Sequence, residues 1–293
     1  MTTVLPPLSI ADEQILQTAL FEDLAYGDIT TDNLPQLYNA KSQASIITRQ
    51  AGVVSGLSIA TRLTAMVDRD LVFKPACCDG QFVQAGSVLA TLSGSIVSVL
   101  KLERTLLNFL QHLSGIATRT REFVDLVKHT KAKIAHTRKT TPGLRILEQR
   151  AVIDGGGVAH RFNLASAVMV KDNHLQALAE QNQTQSPILL AVKTLRSRIT
   201  HTTKIEVEVE YLSQVEQALQ AGCDIILLDN MSPEQVTEAV QLIDGKAITE
   251  ASGCIDLQTV AQYAETGVDI LSTSKITFAV ASLDIGLDID TTA

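Results

Sequence analysis

Two regimes of apolar spacing divide the chain. Near the start, Ile10, Ile15, Leu16, Ala19 and Leu20 recur at helical intervals and predict a helix over 9–21. A turn-like stretch, EDLAYGDITTDNLP, follows it. Residues 43–100 then read as short strands (ASIITR, GVVSG, LVFKPA, SVLATL, SIVSVL) punctuated by Gly52, Gly56, Gly80, Gly86 and Gly94. A long amphipathic pattern from Val99 to Lys128 predicts a helix broken near Gly115. Beyond Lys131 short apolar runs alternate with helical stretches. The runs AKIAHT, AVMVK, KIEVEVE, DIILLD, KAITEAS and VDILSTS are separated by segments such as LSQVEQALQAG, SPEQVTEAVQLI and LQTVAQYAETG. This β/α alternation predicts a parallel sheet with crossover helices. Six or seven strands suit a compact, incomplete α/β barrel, with a doubly wound open sheet as the alternative.

Composition narrows the class. At 293 residues, one large or two modest domains are expected, and 45% hydrophobic content supplies a core and excludes disorder as the main state. No apolar run approaches the roughly 18 residues of a membrane span. The opening MTTVLPPLSIADEQ has no basic region followed by an apolar one, so no secretory leader is expected. Cys77, Cys78, Cys223 and Cys254 lack zinc-ligand spacing and read as reduced thiols of a cytoplasmic protein. A net charge of −8 argues against a nucleic-acid partner. Locally the sign reverses: from Lys131 to Lys171 there are eight Lys or Arg residues and two acids, Glu148 and Asp154. Such a segment points to a focused anion site, a solvated basic face being the alternative.

Polar residues at strand C-termini are the default catalytic positions of a parallel barrel. Here the runs end in His136-Thr137-Arg138-Lys139-Thr140, Lys171-Asp172-Asn173-His174, Asp229-Asn230, Glu250-Ala251-Ser252 and Ser272-Thr273-Ser274. Glu206, Glu208 and Glu210 fall on alternate positions and so on one strand face. With Asp229 they form a set suited to Mg²⁺ or, alternatively, to ion pairs with Arg138 and Lys139. The run Gly155 to Gly157, ahead of His160 and Arg161, reads as a flexible loop delivering two basic groups. It lacks the context of a dinucleotide or Walker loop. Lys171 at a strand end also admits a Schiff-base reading. DGQFVQAGSVLATLSG has the texture of a lipoyl-type module but offers no Lys between Lys74 and Lys101 to modify. Arg104, on an apolar helix, would not be singled out by its surroundings.

The stretches ALFEDLAYGDITT, ERTLLNFLQHLSGIAT, HTRKTTPGLR, GGGVAHR, MVKDNH, EVEVE, IILLDNM, EASG and TGVDILS together resemble the quinolinate phosphoribosyltransferase family, in the family's order and across almost the whole chain. The resemblance implies an α/β protein: an N-terminal open sandwich over 1–115, with the tail 276–293 packing back on it, and an incomplete parallel barrel over 116–275. It implies transfer from phosphoribosyl pyrophosphate to quinolinate with decarboxylation, giving nicotinate mononucleotide, pyrophosphate and CO₂, with Mg²⁺ as cofactor. A related transferase acting on another pyridine or pyrimidine carboxylate is the alternative. By motif, Arg138, His160, Arg161 and Lys171 would bind the quinolinate carboxylates, joined by Arg104 from the neighbouring subunit of a homodimer. Lys139, Glu208 and Asp229 would be catalytic and serve the phosphoribosyl and metal part, the last two as metal ligands, and Thr137 would be a further substrate-binding residue. Ser252, Gly253, Cys254, Thr273, Ser274 and Lys275 would hold the 5′-phosphate. The chain departs from the family pattern at His136 (commonly Asp), Ala159 (Asn), Cys254 (Gly), Ser274 (Gly) and Phe278 (His).

Overall fold

The computed structural model describes residues 7–278 and 280–290. Contacts divide the chain into two compact units: 1–121, 140–156 and 276–293 form one, 122–139 and 157–275 the other. The division is therefore not a single cut. The segment 140–156 belongs with the N-terminal part, and 291–293 of the expected returning tail lie outside the described residues.

The first unit begins with α1 (Ile10–Leu24), then β1 (Lys41–Thr48), β2 (Gly52–Val53), α2 (Leu57–Val67), β3 (Val72–Pro75), β4 (Phe82–Val83), β5 (Val88–Ser95) and α3 (Ile96–Val127), whose residues from 122 on are assigned to the second unit. α1 starts at a reciprocal cap: the Asp12 amide donates to Ser9 Oγ at 3.3 Å, and the Ser9 amide to Asp12 Oδ2 at 2.6 Å. β1 alternates as its sequence dictates, with Ala44, Ile46 and Thr48 buried. It sits inside a four-stranded sheet of order β12-β1-β5-β3, antiparallel at every pairing, where β12 (Ile285–Ile289) is the last strand among the described residues.

Three expectations give way here. Residues 57–67 are helix, not part of a strand series. The N-terminus of α2 is capped from a distance, the Leu57 amide donating to Asp79 Oδ1 at 2.9 Å, so no local signal announces it. SIVSVL is not a strand: α3 starts at Ile96, and Val99, Leu102, Leu106, Leu110 and Leu113 give it one continuous buried stripe. Nor does α3 break at Gly115. The glycine is needed for a close approach, since a Cβ there would lie 2.3 Å from the Ala281 carbonyl oxygen.

The second unit supplies β6 (Lys133–Ala135), and after it the first unit contributes α4 (Arg145–Asp154). There follow β7 (Val168–Val170), α5 (Asp172–Asn182), α6 (Pro187–Arg196), β8 (Ile205–Val209), α7 (Leu212–Ala221), β9 (Ile225–Asp229), α8 (Pro233–Ile243), β10 (Ile248–Ser252), α9 (Val260–Glu265) and β11 (Ile270–Ser272). All six strands are parallel, in the order β6-β11-β10-β9-β8-β7. The first strand pairs with the last, so the order is cyclic. β6 and β7 are not paired with each other among the described residues; on its free side β6 carries a parallel bridge from Ala135 to Val158, in the segment before β7. This is an incomplete barrel, and the doubly wound alternative falls. Ile205, Val207 and Val209 are buried on one face of β8, and Val215 and Ala218 of α7 are buried as well. Among the described residues no helix is long and apolar enough to cross a membrane.

Asp154, at the end of α4, is buried and accepts a 2.7 Å hydrogen bond from Ser55 Oγ. Burial pushes its pKa up to about 7, the Ser55 bond opposing and the charge of Asp79 adding to the shift. A carboxyl raised in the folded state stabilises fully below its unfolded pKa, near 4, and loses that contribution as pH rises to about 7. Asp154→Asn keeps the hydrogen-bonding shape without the charge. Its melting temperature should match the wild type at pH 4 and exceed it at pH 8; a gap that does not change with pH would remove this account of Asp154.

Candidate active site

Parallel pairing sets every strand C-terminus of the second unit at one end, and register sorts the polar residues into rows. Glu208 lies opposite Leu227, and Leu227 opposite Glu250, so the three share a face and a level. Two residues further on, Asp229 lies opposite Ser252, and Ser252 opposite Ser272. Glu206 stands one row earlier, opposite Met169 and Ile225. Parallel strands covered on both faces normally carry apolar residues on both. Here one face is acidic, and buried carboxylates are costly unless paired.

Cations meet them. Lys171 Nζ, at the end of β7, forms an ion pair with Glu208 Oε2. His160 Nε2 lies 3.1 Å from Glu250 Oε1 and 4.0 Å from Glu206 Oε1. Burial pushes the Glu206 carboxyl well above the usual carboxylate range, and the neighbouring charge of Glu250 pushes it further. Burial and the charge of Glu208 likewise raise Asp229. Arg161 donates through Nη1 to the Ala167 carbonyl at 3.1 Å and through Nη2 to Met169 Sδ at 3.4 Å. Its Nε and Glu206 Oε1 are buried without a hydrogen-bond partner, an arrangement that a ligand's polar groups would complete. Burial depresses the Arg161 pKa, and the charge of the half-buried Arg138 adds to that shift.

A cavity of about 550 Å³ opens beside these rows, lined by Thr137, Lys139, Asp229, Asn230, Ser252, Gly253, Cys254, Thr273, Ser274 and Lys275 among others. The strand ends of β6 and β11 repeat one device there. Thr137 Oγ1 accepts from the Lys139 amide at 3.1 Å, and Thr273 Oγ1 from the Lys275 amide at 3.2 Å. Each turn carries a lysine into the cavity wall. Gly253 has φ +85°, and a Cβ there would lie 2.1 Å from Asn230 Oδ1, so only glycine fits. Cys254 follows it at φ +54°, in the left-handed region glycine favours, and is exposed. The departure from the family glycine thus falls on a residue whose backbone still adopts the glycine conformation.

The expected site residues of the barrel therefore converge, with one correction and one separation. Glu210 is exposed and lies past the end of β8, where its backbone amide donates to Gln214 Oε1 at 2.8 Å. It does not join the acidic face. Arg104 belongs to the first unit, exposed on α3 beside a 370 Å³ hollow with Glu22, Asp23, Asn108 and His112. The sequence names Glu250 among the strand ends but gives no sign that it and Glu206 both approach His160. The two acids lie on β10 and β8, two strands apart. Three ligand atoms from His160, Glu206 and Glu250 lie within 4.8 Å of one another. Glu208 and Asp229 both offer the hard carboxylate oxygens that suit Mg²⁺, and a shared dication would offset the burial and Glu208 charge that raise Asp229.

A parallel barrel whose open end gathers Lys139, Arg138, Arg161, Lys171 and Lys275 around inward carboxylates defines an α/β-barrel enzyme for anionic substrates. Family models described as the N-terminal and C-terminal domains of quinolinate phosphoribosyl transferase match residues 28–114 and 116–288. The chain belongs to the quinolinate phosphoribosyltransferase family. It is 39% identical over 290 residues to a probable nicotinate-nucleotide pyrophosphorylase [carboxylating] of Synechocystis, covering 98% of this chain and 95% of the relative. A protein of the same description from Bacillus subtilis is 37% identical over 277 residues, covering 94% and 93%. The crystal structure of NadC from Streptococcus pyogenes superposes with a TM-score of 0.89 at 37% identity, covering 98% and 99%.

Proposed function

We propose that this protein transfers the phosphoribosyl group of phosphoribosyl pyrophosphate to the ring nitrogen of quinolinate and releases pyrophosphate and CO₂, leaving nicotinate mononucleotide. The carrying observation is the presence of two cationic regions on one barrel end: Arg161 and Lys171 against the acidic face, and Lys139 and Lys275 around the glycine-bounded cavity. Two polyanionic substrates need two such regions. Arg138, Arg161 and Lys171 orient the dicarboxylate, with bidentate guanidinium pairing setting the ring plane. The loops at Ser252 to Cys254 and Thr273 to Lys275 receive the 5′-phosphate, and Lys139 faces the departing pyrophosphate.

Glu208 and Asp229 would hold Mg²⁺, whose charge would offset that building on the pyrophosphate oxygens. The Glu208 carboxylate stabilises the oxocarbenium character that develops at the ribose as pyrophosphate leaves. The ring nitrogen supplies the electron pair for the new bond and becomes cationic. The C2–carboxylate bond then breaks, its electron pair remaining on C2 beside that cationic nitrogen, and C2 takes up a proton. No covalent protein nucleophile is required. Four free cysteines support a reducing, cytoplasmic setting.

Turnover of quinolinate should greatly exceed that of nicotinate, measured as nicotinate mononucleotide formed with phosphoribosyl pyrophosphate and Mg²⁺. Nicotinate lacks the 2-carboxylate and so forgoes contacts with the half-buried Arg138, Arg161 and Lys171, a loss of about 1–3 kcal/mol per charged hydrogen bond. Comparable turnover of the two would overturn the assignment in favour of a related transferase. Glu208→Gln should lower kcat by at least about a hundredfold while shifting quinolinate affinity far less, about 3 kcal/mol on the chemical step. The reverse pattern in single-turnover measurements would sink the role given to Glu208.

The family assembly further suggests a twofold dimer in which Arg104 serves the neighbouring subunit. Arg104→Ala and Arg161→Ala homodimers should each be nearly inactive. Refolded together they should regain part of the activity, because one site of each mixed dimer carries neither defect. Mixed dimers, verified by tagged co-purification, that stay as inactive as their parents would place Arg104 in its own chain's service.

A further inference from the structure

Residues 159–162 carry the Arg161 guanidinium yet belong to no strand, and only Val158 before them bridges to the sheet. Their backbone amides must therefore find side-chain partners. Two find imidazole nitrogens. The His160 amide donates to His136 Nε2 at 3.2 Å, and the Arg161 amide donates to His160 Nδ1 at 2.7 Å.

The partners at the other ends of both rings fix their tautomers. His136 Nδ1 lies 2.8 Å from the Thr137 carbonyl, which can only accept, so the proton sits on Nδ1 and leaves Nε2 to accept. His160 Nδ1 faces an amide that can only donate, so its proton sits on Nε2, toward Glu250 Oε1 at 3.1 Å. Burial disfavours an imidazolium at His160, while the hydrogen bond and charge of Glu250 and the charge of Glu206 favour it, with a net upward shift. In this geometry the Arg161 amide occupies the Nδ1 side and leaves no place for a second proton. Both ring nitrogens of His160 are committed to the protein.

We infer that His136 is a positioning residue, and that the chain Thr137–His136–His160–Glu250 aims Arg161 at its anion through the backbone, His160 acting as part of the support. His136 is fully buried and lies directly after β6, so its ring is anchored by the barrel itself. The same ring ties the end of β6, which carries Thr137, Arg138 and Lys139 in turn, to the loop bearing Arg161. This inference rests on the quinolinate reading for the identity of the anion, but not for the hydrogen-bond chain.

The test has two arms on the full-length protein. In the first, histidine ring ¹⁵N spectra near neutral pH, assigned with single His variants, should show His136 as the Nδ1–H tautomer and His160 as the Nε2–H tautomer. An Nε2-protonated His136, or a doubly protonated His160, overturns the inference whatever the substrate proves to be. In the second, His136→Ala should raise the KM for quinolinate about tenfold or more, with kcat and the KM for phosphoribosyl pyrophosphate within about twofold of wild type. His136→Gln, whose Oε1 can accept from the His160 amide where Nε2 does, should restore most of that loss. A folded His136→Ala with unchanged quinolinate KM overturns the inference, as does a Gln variant no better than Ala at an equal melting temperature. Wild-type protein that makes no nicotinate mononucleotide from quinolinate defeats the functional reading alone and leaves the tautomer arm standing.

Discussion

The structure depends on one electrostatic constraint: carboxylates on the inward face of a parallel sheet must be answered by cations or hydrogen-bond donors from other strands. Glu206, Glu208, Asp229 and Glu250 come from three adjacent strands, and their answers, Lys171 and His160, come from β7 and the loop before it. A hydrophobic interior would have been cheaper, since desolvating even a paired charge costs several kcal/mol. The cost falls where the strands end and solvent or ligand can share it. Upward shifts at Glu206 and Asp229 mark the places where that sharing is incomplete in the protein alone.

Much of this was legible along the chain. Six apolar runs of the C-terminal half became six parallel strands because each was bounded by a helical segment long enough to cross back over the sheet. The residues at their ends were readable for the same reason: parallel pairing guarantees that all such ends share one side. What escaped notice depended on distant partners. α2 is capped by Asp79, twenty-two residues on, and the uninterrupted course of α3 through Gly115 depends on the backbone at Ala281. Glu210 looked equivalent to Glu206 and Glu208 because periodicity cannot tell where a strand stops; β8 stops at Val209.

His160 shows a subtler limit. Its place beside Arg161 suggested a second cation for the ligand, and only the donors and acceptors around the ring reveal how it is used. Residue type reported the chemistry available, whereas the neighbouring backbone decided its orientation. Cys254 makes the converse point. Its side chain departs from the family pattern, while its backbone lies in the left-handed region that glycine favours.

The pairing of β12 with β1 has a consequence for how the protein is made. β1 ends at Thr48, and its partner strand begins at Ile285. On a ribosome, every strand of the barrel is synthesised before the strand that completes the first sheet. Until then one edge of β1 has no neighbour, and its unpaired amides and carbonyls are open to strand addition from other chains. The barrel strands pair largely with near neighbours in sequence, while the first sheet waits on a contact spanning most of the chain, the slow kind to form. The N-terminal unit, first to emerge, is the last whose sheet can close.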